Sequence, residues 1–205
     1  PERDIMRGIE NTSGPLGQGH TFAVGAAIAA KFLKQRFGSC MDQTIYAFIS
    51  DGGVQEEISQ GAGRTAGHLG LDNLIMFYDS NGIQLSTKTS EVSEEDVAAK
   101  YTAWGWRVIT IKGNDVTEIR AALTEAKLEK EKPTLIIGKT IMGKGAVKAD
   151  GSSFEGETET HGQPLSAAGA SFEKTIAGLG GDPANAFVIF PEVKELYAKR
   201  EAELT

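Results

Sequence analysis

A chain of 205 residues, 40% hydrophobic and 24% charged, is the size of one domain and has enough apolar content for a substantial globular core. Its 21 Lys and Arg against 28 Asp and Glu leave a formal net charge of −7; without an overall positive field to hold a polyphosphate backbone, nucleic acid is excluded as a general partner. No apolar run approaches the roughly 20 residues of a membrane span, so a membrane partner is excluded as well. The single cysteine, Cys40, has no partner within the chain, and the opening residues lack the pattern of a secretion signal. A reducing, cytoplasmic setting is the expectation. The polar opening Pro1-Glu2-Arg3-Asp4, without an initiating Met, points to a segment of a longer protein. Glycine supplies 25 of 205 residues, well above the usual ~7%, in short clusters that build turns rather than a linker.

In chain order, residues 17–37 form an alanine-rich stretch apolar nearly all round, which predicts a helix buried against a sheet. Thr44-Ile45-Tyr46-Ala47-Phe48-Ile49 is an apolar run too short for a helix and ended by Ser50-Asp51-Gly52-Gly53: a buried strand feeding a tight turn. The pattern recurs at 73–78 before Asp79-Ser80-Asn81-Gly82, at 107–111 before Lys112-Gly113-Asn114, and at 134–137 before Gly138. Helical patterns lie between them at 54–69, 93–104 and 115–131, with Ser93 and Asp115 suited as caps. Residues 144–162 are polar and glycine-rich and predict an irregular excursion. Two further helices are expected at 166–179 and 191–200. Strands buried on both faces and alternating with helices define an α/β fold: a mostly parallel sheet with helices on both faces.

In such a sheet ligands sit beyond the carboxyl ends of the strands. Asp51, with Gly52 and Gly53 behind it, follows the first strand; Asp79 and Asn81, with Gly82, follow the second. A carboxylate and a carboxamide at neighbouring strand ends supply hard oxygen ligands suited to magnesium or calcium, whose shell a diphosphate can complete. Asp-Gly and Asn-Gly are also ordinary turn formers, and spacing alone favours structural turns over a metal site. Neither the Gly-x-Gly-x-x-Gly dinucleotide turn nor the Gly-x4-Gly-Lys-Ser/Thr phosphate loop occurs.

Four segments together resemble the transketolase family of thiamine diphosphate enzymes: G-P-L-G-Q-G at Gly14 to Gly19, S-D-G at Ser50 to Gly52, D-S-N-G-I at Asp79 to Ile83, and T-H-G-Q-P-L at Thr160 to Leu165. Thiamine enzymes in general share G-D-G followed some thirty residues later by Asn; the first and last segments are the features particular to transketolase. The near alternative is a sister thiamine enzyme, deoxyxylulose-phosphate synthase or the first component of a 2-oxo acid dehydrogenase, and G-P-L-G-Q-G argues against both. The resemblance covers nearly the whole chain, with Ser50 standing where the motif has Gly. It implies that Asp51, Asn81 and the main-chain carbonyl of Ile83 bind the divalent ion and that the amide of Gly52 meets the diphosphate. It further implies that Gly14, Pro15 and Leu16 touch the aminopyrimidine end, and that Met142 and Gly143 cover the thiazolium. His161 would reach both diphosphate and sugar, and Glu56 would lie towards a subunit interface. On this resemblance, residues 1–205 are a single diphosphate-binding domain incomplete at its N-terminus, with pyrimidine-binding and C-terminal domains outside it. The implied activity is transfer of a two-carbon ketol unit between ketose and aldose phosphates by a homodimer, and the chain alone would be inactive. A non-catalytic cofactor-binding half of a split enzyme is the alternative from another class.

The remaining notable residues have plainer readings. His68 sits at a predicted helix C-terminus, where the dipole favours it. His20 begins the buried helix without a motif partner, and Cys40 has no neighbouring His or Cys that would activate it. Trp104 and Trp106 are packing residues around Gly105, and the Glu/Lys run 125–132 is a solvated helix face.

Overall fold

The computed structural model describes residues 3–85 and 87–204; the opening Pro1-Glu2 lies outside them. Helix α1 (Gln18–Phe37) is followed by β1 (Ile45–Ser50), the short α2 (Asp51–Gln55), α3 (Glu57–His68) and β2 (Leu74–Ser80). A two-strand hairpin, β3 (Ile83–Gln84) with β4 (Thr87–Lys88), leads to α4 (Val97–Ala103), β5 (Arg107–Lys112), α5 (Val116–Leu128) and β6 (Thr134–Lys139). Three helices close the chain: α6 (Leu165–Ala168), α7 (Phe172–Gly178) and α8 (Pro191–Leu204). The main sheet runs β1-β2-β6-β5 and all its pairings are parallel, as the alternation of strands and helices predicts.

Strand pleating divides the core into two layers. Leu74, Met76 and Tyr78 of β2 point to the face covered by α1, α3 and α4, where they pack with Ala27, Ala66, Tyr101 and Trp106. Ile75 and Phe77 point to the opposite face and meet Ala122, Leu123 and Ala126 of α5. The expected burial of all four strands on both faces holds for the central β2 and β6 but not for the edge strands β1 and β5. Tyr46 and Phe48 are 49% and 82% exposed, because β1 is an edge strand and α5 packs on β5 and β6 instead.

Glycine decides two close approaches. Gly17, the N-cap of α1, has φ +82°, and a Cβ there would sit 2.5 Å from Ile58 Cγ2, so the loop before α1 lies directly on the start of α3. At Gly67 a Cβ would overlap the carbonyl oxygen of Trp104, which brings α3 against the aromatic corner. There Tyr101 meets Trp104 in a tilted contact with ring centroids 4.9 Å apart and Trp106 edge-on at 5.2 Å, and the Trp106 Nε1 donates to Gly63 O at 2.8 Å. The packing role expected of both tryptophans is realised.

Several boundaries differ from the sequence expectation. The helix expected over 54–69 is two helices broken at Glu56, whose ψ of 132° is extended. The helix expected from Ser93 starts at Val97: Asp96 caps it by accepting from Ala99 N at 2.9 Å, while the Ser93 hydroxyl is taken up by the amide of Glu95. Asp115 does cap α5, accepting from Thr117 N and Glu118 N. That helix ends at Leu128 because Glu129 turns extended and accepts from the amides of Lys130 and Glu131. The Glu/Lys run is solvated on one side only, since Glu125 and Glu129 pair with Arg107 of β5. The expected helix 166–179 is split by Gly169 (φ +115°) into α6 and α7. The excursion over 144–162 is irregular as expected, but Phe154 anchors it in a small cluster with Ala146 and Ala170. Among the described residues no helix is long and apolar enough to cross a membrane.

Candidate active site

The carboxyl ends of β1 and β2 lie side by side, with Ser50 opposite Asp79. Ser50 is extended (φ −108°, ψ 174°), a conformation open to any L-residue, so the serine in the motif-glycine position causes no backbone strain. Asp51, the next residue, is only 2% exposed. Its Oδ1 accepts from the Tyr78 hydroxyl at 2.6 Å, and its Oδ2 accepts from the amides of Asn81 and Gly82, both at 3.0 Å. One carboxylate therefore ties the end of β1 to the turn after β2. Burial, followed by the bond to Asp51, raises the Tyr78 hydroxyl well above the usual phenol range.

The Asn81 carboxamide is held from both ends. Nδ2 donates to Asp79 Oδ1 at 3.3 Å, and Oδ1 accepts from Ile83 N at 2.9 Å. Asp79 in turn accepts from the Thr140 hydroxyl at the end of β6. Ile83 is buried as the first residue of the β3–β4 hairpin. Beneath, Gln55 of α2 donates to Gln84 Oε1 at 2.7 Å and to Asp51 O at 3.0 Å, joining helix and hairpin.

The other residues singled out by sequence gather around this centre to different degrees. A Cβ at Gly52 would lie 3.3 Å from Leu16 Cδ1, so the 14–17 loop and the Asp51 turn are in contact. Within that loop the Ser13 hydroxyl donates to Pro15 O, and Gly14 has open space at its α-carbon. A cavity of about 550 Å3 is lined by Asp51, Tyr78, Asn81, Gly82 and Lys139, among others. A second cavity, about 510 Å3 and mostly apolar, is lined by Asp79, Asn81, Asn114, Met142 and Gly143 together with Tyr46 and Phe77. Asn81 and Thr140 border both. Gly143 (φ +61°) packs against Thr160 at 3.1 Å from a built Cβ, which puts the residue before His161 beside the Met142-Gly143 turn. His161 is half-buried; its Nδ1 is screened from solvent and without a hydrogen-bond partner among the described residues. It lines neither cavity, and neither do Gly14, Pro15 and Leu16. Glu56 stands at the break between α2 and α3.

The oxygen set fits a hard divalent cation. Asp51 and Asn81 each retain an unused acceptor position on Oδ1, and Ile83 adds a main-chain carbonyl on the same turn. Among the described residues Asp51 enters no ion pair, so a buried negative charge lacks a cationic partner. No group of three His, Cys, Asp or Glu forms an alternative metal cluster among them.

A profile of the transketolase thiamine diphosphate binding domain matches residues 1–205. The chain belongs to the transketolase family. It is 46% identical over 180 residues to a transketolase of Streptococcus pyogenes, a match covering 85% of this chain and 24% of that protein. Among solved structures, the transketolase of Campylobacter jejuni superposes with a TM-score of 0.84 at 39% identity over 93% of this chain. That of Leishmania mexicana gives 0.85 at 36% identity over 97%. In both cases 29% of the solved chain is covered, so this chain spans less than a third of these transketolases. The superpositions carry the parallel sheet and its flanking helices as the transketolase arrangement.

Sequence reasoning did not single out Tyr78, Thr140 or Gln55. Tyr78 was the one apolar-run residue with a polar tip next to a strand end, but nothing local reveals that its partner is 27 residues away.

Proposed function

We propose that this chain is the diphosphate- and metal-holding domain of a transketolase that transfers a two-carbon ketol unit between ketose and aldose phosphates. The observation that carries this reading is the buried carboxylate of Asp51, which enters no ion pair among the described residues and binds the turn that also presents Asn81 and Ile83. Asp51, Asn81 and the Ile83 carbonyl would hold Mg2+ or Ca2+, and the Gly52 amide would face the diphosphate. Bound thiamine diphosphate supplies the thiazolium carbon that adds to a ketose carbonyl and an electron sink for the carbon–carbon cleavage.

The protein's part is to hold, orient and enclose. Gly14, Pro15 and Leu16 would flank the aminopyrimidine end, a role supported by the Leu16–Gly52 contact. Met142 and Gly143 would cover the thiazolium. His161, the one residue assigned a catalytic role, would turn its unpartnered Nδ1 to the diphosphate or a sugar hydroxyl, an arrangement supported by that atom's burial without a partner. The remaining pocket would come from pyrimidine-binding and C-terminal domains outside these 205 residues and from a second, identical subunit in the cytoplasm. Helix α1 supports a second subunit: opposite its buried stripe it exposes Phe22, Ala26, Ala29 and Phe32, an apolar face that a partner would cover.

The test is a ketol-transfer assay on xylulose and ribose phosphates with thiamine diphosphate and Mg2+. The 205-residue chain is expected to be inactive alone and active when the further domains are supplied. Turnover by the chain alone would refute the division of the site, and absence of ketol transfer in both forms would refute the assigned reaction.

A further inference from the structure

Tyr78 sits in the core between α1, α3 and α4, packed among Leu74, Met76 and Ile137, and the pleat of β2 aims its hydroxyl at Asp51. An ionised carboxylate has about four acceptor positions. Oδ2 of Asp51 spends two on the amides of Asn81 and Gly82, and Oδ1 spends one on Tyr78. The position left over is on Oδ1. We propose that Tyr78 is a positioning residue for the metal site, its hydroxyl fixing the Asp51 carboxylate so that Oδ1 is the oxygen offered to the divalent ion. This rests on the reading of Asp51 as a metal ligand.

Two features separate this role from simple satisfaction of a buried phenol. Tyr101 lies in the same core, more deeply buried than Tyr78, and its hydroxyl has no partner among the described residues, so the fold tolerates an unpaired tyrosine hydroxyl close by. The next residue of β2 performs the matching task on the opposite side of the sheet: Asp79, braced by Thr140, takes Asn81 Nδ2 and thereby fixes Oδ1, which keeps one acceptor position beside its bond from Ile83 N, as the end turned to the ion. Consecutive residues of one strand thus orient the two side-chain ligands from opposite faces. Outer partners of this kind set ligand direction, and their removal typically costs about 10- to 100-fold in metal affinity.

The test uses Mn2+ as the probe with saturating thiamine diphosphate, free Mn2+ being read by electron paramagnetic resonance on the full-length protein and on Y78F, Y101F and D51N. Y78F is expected to weaken Mn2+ binding about 10- to 100-fold, with Y101F at the wild-type value and D51N weakened at least as much as Y78F. Unchanged or tighter binding in Y78F while D51N is weakened overturns the proposal and leaves the metal site standing; equal weakening in Y101F also overturns it, as a general effect of core hydroxyls. Wild-type binding in D51N overturns the metal site itself. Should Y78F fail to fold, 3-fluorotyrosine placed at position 78 gives a second readout. Its fluorine resonance is expected to move on adding Mg2+ and thiamine diphosphate and to stay still in D51N; a resonance that stays still with Asp51 intact overturns the proposal.

Discussion

His20 is buried in α1 with its Nδ1 unpartnered among the described residues, and burial lowers its pKa from 6.5 to about 4. The sign follows directly. Between those two values the unfolded chain binds a proton that the folded chain refuses, so stability is fully present above pH 6.5 and falls as the pH drops towards 4. At about 1.4 kcal/mol per unit, the full shift corresponds to a loss of about 3 kcal/mol, of which about 2 kcal/mol has gone by pH 5. Replacing His20 with Leu removes the titrating group while keeping an apolar side chain at the α1 interface. Urea unfolding of the chain and of H20L at pH 7, 6, 5 and 4.5 measures the difference. The gap between them is expected to move by about 2 kcal/mol in favour of H20L from pH 7 to pH 5. Parallel curves over that range would refute the reasoning, since they would mean that His20 takes up its proton without cost in the folded state.

Two further outcomes follow from the geometry. Asp96→Ala is expected to cost about 1 kcal/mol of stability and Ser93→Ala only a few tenths, because Asp96 holds the first turn of α4; thermal melts of the two variants check this, and the reverse order would restore Ser93 as the cap. His161→Ala is expected to lower kcat/KM for ketol transfer by about 10- to 100-fold, the equivalent of one charge-assisted hydrogen bond, with little change in melting temperature. Steady-state kinetics beside a melt decides between that and a loop histidine without a catalytic role.

The fold was readable where local pattern and tertiary setting coincide. The run at 134–137, apolar after Thr134, is buried throughout because β6 is central and covered on both sides. The run at 44–49 looks the same in sequence, yet β1 is an edge strand, and the exposure of Phe48 depends on where a helix 70 residues later packs. Ser93 and Asp96 are both good caps by type; which one serves is decided by the amide of Glu95, which occupies the serine. At the site, Asp51 and Asn81 were legible as strand-end residues with the right donor atoms. Their partners were not, since Tyr78 looks like core and Thr140 like a connection, and only the parallel register of β1, β2 and β6 brings them to these two side chains. His20 carried no motif, and its titration follows from burial that composition does not reveal.

In the proposed reading, Asp51 and Asn81 form the oxygen anchor for a divalent ion and a diphosphate. Calorimetric titration of thiamine diphosphate into the full-length protein, with and without Mg2+, tests it in wild type, D51A and N81A. The account predicts Mg2+-dependent binding in wild type and loss of that dependence in both variants, each still folded. Unchanged Mg2+-dependent affinity in both variants would contradict it.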